Sequence, residues 1–358
     1  MSTEYLLNFY DTSGVAQYQI DNYTWLTYTK RLNHPGMIQF GLPFDSPVVA
    51  DIADKWLIKV LRDGEDEITG IYRWLGGNYE NIARATYLAN GIMSMLDWHE
   101  VAYHANYANR SIFSGVPVET IMKTLVNYNC GAAALTTNGR LRNGVFPQIS
   151  IATDQARGGN QDWACAHEQV LATLQDLARA TGHDFDLIDL GGANFQFEFY
   201  VDHKGQDKTD SVTFSLEQGN MSNIAYIDAR NEERTVAIVG GYGEEAARDF
   251  VIRTGDNYAY QTNDIEVFVN ASDLDEGDTS GLNARGDATL AEAKAYESFS
   301  FEVTQVDGCR YKKHYDVGDV VTVINPFTGG SSPYQVIVAQ IGYSDKGKES
   351  IHIELEAH

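Results

Sequence analysis

Residues 235–246 are the segment of this sequence that most resembles a cofactor site. An apolar run from Thr235 to Val239 is followed by Gly241-x-Gly243-x-x-Ala246. This spacing fits the dinucleotide fingerprint, in which glycines let a pyrophosphate approach the N-terminus of a helix. However, Glu244 and Glu245 would put two carboxylates where the phosphates must sit, and the run does not open a repeating βαβ series. We therefore interpret the segment as a glycine-rich hairpin loop.

Two further segments carry metal-ligating residue types. His99 and His104 resemble a zincin helix, but that site needs histidines at i and i+4, and the second histidine here is at i+5. We expect two partly exposed histidines. Residues 270–278 contain four acidic residues but lack the ligand order and the terminal glutamate of a helix-loop-helix calcium site, so we expect a solvated acidic loop.

No residue is nominated as catalytic, cofactor-binding or metal-binding. The 50 acidic residues supply many carboxylate pairs for glycoside hydrolysis, and none is singled out by its context. The sequence contains neither a Gly-x-Ser-x-Gly elbow nor a Walker loop. The 21 tyrosines and 5 tryptophans keep open a carbohydrate-binding role, because exposed aromatic rings stack on sugars. Burial of these rings in the core and in interfaces is the alternative.

The composition excludes several classes of protein. The formal net charge is −24 over 358 residues, so specific binding of nucleic acid, which needs clustered Lys and Arg, is not expected. No segment approaches the roughly 20 apolar residues of a membrane helix, and the start lacks a signal-peptide pattern. We expect a chain that is neither exported by a cleaved signal nor inserted in a membrane. Cys130, Cys165 and Cys309 are far apart, and we expect three reduced, mostly buried thiols.

Short alternating segments at turn spacing predict that most elements are strands. Candidate strands cover residues 5–10, 23–29, 37–42, 56–62, 85–91, 185–188, 195–201, 212–216, 223–228, 235–239, 265–269 and 299–305. Candidate helices cover residues 118–126, 162–181 and 282–298, and Gly182 is the expected stop of the second. Residues 138–160 read as a glycine-rich surface excursion.

Residues 320–355 predict a three-stranded antiparallel meander. Val320 to Ile324 follows a Gly-Asp turn, a β-branched run follows at residues 336–343, and residues 350–355 alternate with period two. Such a piece has unpaired edges, so the rest of the chain must close or cover it. The fold class is therefore α+β and mainly β, with two barrel-like antiparallel domains. We predict a first barrel at residues 1–112, an inserted α+β domain at 113–201, and a second barrel at 202–358 that contains the helix at about 282–298.

Four stretches together resemble the tail hub proteins of siphophages, which share the baseplate hub fold. They are residues 26–43, the glycine-rich loop at 239–248, the strand and helix at 266–274 and 284–290, and the last barrel at 298–303 and 315–323. Their order and spacing cover nearly the whole chain, and the segment at 128–163 has no counterpart.

The resemblance implies a structural protein with no reaction or cofactor of its own. It implies a homotrimeric, pseudo-hexameric ring that joins the distal end of the tail tube to a fibre or spike and lets DNA pass. The implied neighbours are the tail tube or distal tail protein above, a fibre, spike or receptor-binding protein below, and the tape measure protein in the lumen. The implied location is the virion tail tip, after synthesis in the host cytoplasm. A carbohydrate-binding adhesin and a cell-wall glycosidase remain the alternatives.

The net charge agrees with a conduit for DNA. A wall lined with Lys and Arg would hold phosphates, whereas an acidic wall lets them pass. We therefore expect channel-facing positions to be biased towards Asp and Glu.

Overall fold

The computed structural model describes residues 3–78, 84–102, 111–138, 148–165, 167–344 and 348–358. Strands make up most of the regular structure, which confirms the mainly β, α+β class. The strands are β1 (Tyr5–Tyr10), β2 (Ala16–Ile20), β3 (Trp25–Arg31), β4 (Met37–Pro43), β5 (Leu57–Arg62), β6 (Glu65–Asn78), β7 (Arg84–Gly91), β8 (Ser111–Pro117), β9 (Gln148–Ile151), β10 (Asn160–Cys165), β11 (Asp184–Gly191), β12 (Asn194–Tyr200), β13 (Thr213–Phe214), β14 (Met221–Ala229), β15 (Val236–Gly240), β16 (Phe250–Thr254), β17 (Glu266–Asn270), β18 (Tyr296–Val303), β19 (Val320–Ile324), β20 (Ser331–Ser344) and β21 (Glu349–Ala357).

Four α-helices lie between the strands of the described ranges. They are α1 (Pro47–Asp51), α2 (Val118–Asn129), α3 (Val170–Thr181) and α4 (Thr279–Glu292). Short 3-10 helices cover Ile92–Trp98, Thr136–Asn138 and Glu245–Ala247. Within the described residues, no helix has both the length and the apolar character needed to cross a membrane.

One 13-stranded sheet contains strands from both ends of the chain. Its order is β14-β18-β21-β20-β3-β4-β7-β6-β5-β1-β2, with β19 on β20 and β13 on β19. The predicted meander is confirmed, since β19, β20 and β21 pair antiparallel. Antiparallel pairing of β20 with β3, with Ile341 opposite Tyr28, joins the C-terminal strands to the N-terminal strands. In the described part of the chain neither predicted barrel closes by strand pairing, because this joint makes one continuous sheet.

The period-two alternation of the strands explains the main core. Alternate residues of β1, β3, β4, β18 and β21 point to one side, where their apolar side chains are buried in a single cluster. Phe9, Phe40 and Tyr87 pack ring on ring in its N-terminal half, and Phe214, Phe301 and Tyr315 do so in its C-terminal half.

A second core lies in an α+β unit. Its sheets are β10-β8 and β11-β12-β9, and α2 and α3 pack on them. The predicted hairpin around Gly191-Gly192 is confirmed as β11 and β12. Gly182 ends α3 in the left-handed conformation, with φ of 69°, as predicted. The boundaries at residues 112 and 201 remain predictions.

A third, smaller unit consists of the sheet β16-β15-β17 and α4. Val239, Ala237, Leu282 and Leu290 are buried between this sheet and the helix. Helix α4 begins where the Asp278 carboxylate accepts a hydrogen bond from the Gly281 N–H over 2.9 Å.

Two predicted helices have wrong boundaries. The helix predicted at residues 162–181 begins only at Val170, because residues 160–165 form β10 and pair with β8. The helix predicted at 282–298 spans Thr279–Glu292, and residues 296–298 already belong to β18. The excursion at 138–160 contains strand β9, which pairs in parallel with β12. Residues 139–147 of that excursion lie outside the described residues.

Candidate functional surface

The glycine-rich segment at residues 235–246 is a hairpin loop, as the sequence analysis proposed. Strand β15 returns antiparallel as β16, with Gly240 opposite Phe250. Only a three-residue 3-10 turn at Glu245–Ala247 occupies the place of the helix that a dinucleotide site requires. The Arg248 side chain donates a hydrogen bond to the Gly240 carbonyl oxygen over 3.0 Å, so this backbone carbonyl has a partner within the loop.

The other two candidate segments contain metal-ligating residue types. No group of three or more His, Cys, Asp or Glu side chains suited to a metal ion occurs among the described residues. His104 lies outside those residues. In the acidic loop, Asp273 pairs with Arg285 over 2.6 Å and Asp278 caps α4. All three cysteines are buried, as expected.

The face of the large sheet opposite its main core is polar across β18, β21, β20, β3 and β4. We call this surface the polar face; its residues are Thr27, Thr29, Arg31, Gln39, Ser300, Glu302, Gln340, Ser350, His352 and Glu354. The registers align it in cross-strand rows: Glu302, His352, Gln340 and Thr29 form one, and Ser350, Gly342, Thr27 and Gln39 the next. The described positions of these two rows include no Lys or Arg.

The polar face carries two glutamates, Glu302 and Glu354, and one arginine, Arg31, which shares a cross-strand row with Glu354 through Val338. His352 Nδ1 lies 3.5 Å from Glu302 Oε1, and His352 Nε2 lies 4.0 Å from Glu354 Oε1. At the β5–β6 end the same side of the sheet is covered by the α+β unit, where Lys59 Nζ lies 3.1 Å from Asp189 Oδ2. The uncovered part is thus a hydrophilic wall built on a rigid apolar core.

At the edge of the main core, a partly buried ionic network around the fully buried Glu67 joins the two halves of the sheet. Lys30 Nζ lies 2.6 Å from Asp316 Oδ1 and 3.7 Å from Glu67 Oε2, and Lys312 Nζ lies 2.9 Å from Asp316 Oδ2. The Tyr311 hydroxyl donates to Glu67 over 3.3 Å. The sequence analysis did not find this network, because its members are spread from residue 30 to residue 316.

A β-bulge explains how a glutamate enters the core. Leu61 pairs with Asp66 and Val60 pairs with Ile68, so Glu67 is an extra residue on β6. A bulge turns its side chain away from the normal alternation. Burial raises the pKa of Glu67 and lowers the pKa of Lys30. Burial opposes ionisation of Asp316, but Lys30 and Lys312 hold its pKa well below its usual range.

A second ionic cluster stabilises the α+β unit. Glu119, buried at the start of α2, accepts hydrogen bonds from Arg157 Nε and Lys123 Nζ over 2.9 and 2.6 Å. Burial opposes ionisation of this carboxyl, but the hydrogen bonds from Arg157 and Lys123 lower its pKa to about 2. Both clusters hold the scaffold in shape.

The profile of the family described as Siphovirus ReqiPepy6 Gp37-like protein matches residues 6–355. The chain belongs to this family. No curated protein matches the sequence. The prediction of a phage tail structural protein from the sequence is confirmed.

Solved tail proteins have the same fold as this Gp37-like chain. The 43 kDa tail protein of prophage MuSo2 from Shewanella oneidensis is 13% identical, with a TM-score of 0.61 over 98% of each chain. The tail protein from Neisseria meningitidis MC58 is 11% identical, with a TM-score of 0.59 over 99% of this chain and 96% of that one. Prophage tail protein gp18 from Listeria monocytogenes EGD-e is 9% identical, with a TM-score of 0.57 over 98% and 94%.

Proposed function

We propose that this Gp37-like chain is the tail hub, a scaffold without a reaction of its own at the virion tail tip. In this proposal three copies form a pseudo-hexameric ring, and the two halves of the large sheet are the barrel-like units of the wall. The ring joins the tail tube or distal tail protein to a fibre, spike or receptor-binding protein, and the tape measure protein and then DNA occupy its lumen.

The observation that carries the proposal is the polar face. The described positions in the two cross-strand rows that contain Glu302 and Ser350 hold polar or acidic side chains and no Lys or Arg that would retain phosphates; Arg31 lies in the adjoining row. We assign this face to the lumen.

The free edges of the large sheet support assembly into a ring. Among the described strands, β14 pairs only with β18 and β2 pairs only with β1, so each leaves one row of backbone groups unpaired. Unpaired edges favour association with a neighbouring chain. Ile227, 51% exposed on β14, would be covered in such a contact.

The carbohydrate-binding alternative rested on the many aromatic residues. The tyrosines among the largest fully buried side chains are Tyr28, Tyr87, Tyr311, Tyr315 and Tyr334. Rings of this kind support the core and are unavailable to a sugar, so this alternative rests on exposed rings such as Trp74 and Tyr260, which are 51% and 72% exposed. No described feature favours the glycosidase alternative.

Charge reversal on the polar face tests the proposal. In virions carrying Glu302→Lys and Glu354→Lys, we expect tails to assemble but DNA release to slow, because lumenal cations would retain phosphates. A matched control reverses Glu217 and Glu276, which are exposed elsewhere. Release is timed with a DNA-binding dye after triggering. Equal rates for the two double variants would contradict the assignment of the polar face to the lumen.

A further inference from the structure

The outer face of the β16-β15-β17 sheet is apolar and exposed. Ile252 lies opposite Ile238, which lies opposite Phe268, so the three share one face, and Phe250 lies two residues from Ile252 on the same side. Phe250, Ile252 and Phe268 are 53%, 66% and 54% exposed. The other face of this sheet is already filled by α4. We call the exposed side the outer apolar face.

The Arg248 side chain lies on this face, between two of its rings. The Arg248 guanidinium lies 5.8 Å from the ring centre of Phe250 and 5.4 Å from that of Phe268. It also donates to Asn270 Oδ1 over 2.6 Å. A side chain at Gly240 would place its Cβ 2.8 Å from Arg248 Nε, so glycine is needed for the guanidinium to lie on the sheet. The guanidinium thus contacts both rings of the outer apolar face and restricts their rotamers, which lowers the entropic cost of docking.

The rim of the outer apolar face is acidic. Glu244 and Glu245 lie in the adjoining turn. Asp264 lies just before β17, and Glu266 is its first residue. All four side chains are exposed. In a symmetric face-to-face contact, a second copy of this chain would bring a like-charged rim against this one, and in any other contact it would still bring a chain of net charge −24. Charge complementarity favours a partner whose rim is basic.

We infer that the outer apolar face docks a different protein that has an apolar centre and a Lys- or Arg-rich rim. With Tyr242, 50% exposed beside it, the face offers roughly 400 Å² of apolar surface, taking about 200 Å² for each large side chain. A patch of that size is at the level that marks interaction sites on soluble proteins. The inference adds a partner to the proposed hub and rests on that function only for the choice of particle in the second experiment.

The first experiment uses the purified chain and two synthetic peptides. One alternates Val with Lys and the other alternates Val with Glu. We expect only the Val-Lys peptide to bind, and we expect Ile252→Ser with Phe268→Ser to weaken binding by roughly tenfold or more, because the apolar contacts are lost. Leu190→Ser, at a residue 56% exposed in the α+β unit, is the control and should leave binding unchanged. Equal binding by all three proteins would overturn the inference.

The second experiment places a photo-crosslinking amino acid at position 252 or, as control, 190 in native particles. We expect position 252 to join another tail polypeptide at a Lys- or Arg-rich segment, and Glu244→Lys with Glu245→Lys to abolish that product. A product with a second copy of this chain, or none above the level at 190, would overturn the inference. Absence of the chain from the particle would instead overturn the proposed hub, and the peptide result would then decide the docking surface alone.

Discussion

Replacing Lys30 by methionine tests whether the ionic network around Glu67 stabilises the joined sheet. Methionine keeps a long unbranched stem but removes the charge that lies 3.7 Å from Glu67 and 2.6 Å from Asp316. The Glu67 side chain is 0% exposed, so its carboxylate would lose its cation without gaining water. Breaking a buried ion pair from one side costs about 3–5 kcal/mol. For 358 residues unfolding together, this corresponds to a fall in Tm of about 4–7 °C.

The measurement is urea unfolding at pH 7, followed by tryptophan fluorescence, together with a thermal scan. Lys294→Met is the matched control, because its pair with Asp256 spans 3.4 Å with the two side chains 58% and 89% exposed. An exposed pair of this kind contributes at most about 1 kcal/mol. Adding Glu67→Gln to Lys30→Met should recover part of the loss, since the uncompensated charge disappears. Equal small losses for Lys30→Met and Lys294→Met would refute the reasoning.

Three further predictions concern the rest of the scaffold. The pKa of Glu119 in the folded protein lies near 2, below its ordinary value of 4.5. The contribution of this carboxylate to stability is therefore present above about pH 4.5 and is lost as the pH falls towards 2. Glu119→Gln should flatten that part of the plot of unfolding free energy against pH. Gly14→Ala should destabilise by about 1–3 kcal/mol, because φ is 77° and the new Cβ would lie 2.4 Å from Gly192 Cα; wild-type stability in urea would contradict this. Asp278→Ala should cost about 0.5–2 kcal/mol through loss of the α4 cap, and no change in unfolding would show that the cap is dispensable.

Local patterns in the sequence predicted the elements, and tertiary pairing limited their bounds. The prediction of a meander at residues 320–355 was correct, because apolar residues that alternate with polar ones bury one face of a strand. The helix prediction was wrong for residues 162–165, which precede the apolar residues at helical spacing and form β10 by pairing with β8. The end of α4 was misplaced for the same reason, since pairing with β14 and β21 makes Tyr296 the start of β18.

Long-range features could not be predicted from one sequence. The joint of β3 with β20 connects Arg31 to Val338, and no local pattern encodes a partner so distant. Glu67 follows an acidic turn and resembles a solvated residue; only the bulge against β5 places it beside Lys30. The acidic lining of a channel stays a prediction, and the residues of the polar face could be identified only from the strand registers.

Electron cryomicroscopy of the native particle tests the central claim most directly. The hub proposal predicts three copies of this chain in a ring around a central hole at the tail tip, with Glu302 and Glu354 facing the lumen and β14 against a neighbouring subunit. A chain found as a monomer away from the tail tip, or a lumen lined mainly by Lys and Arg, would contradict it.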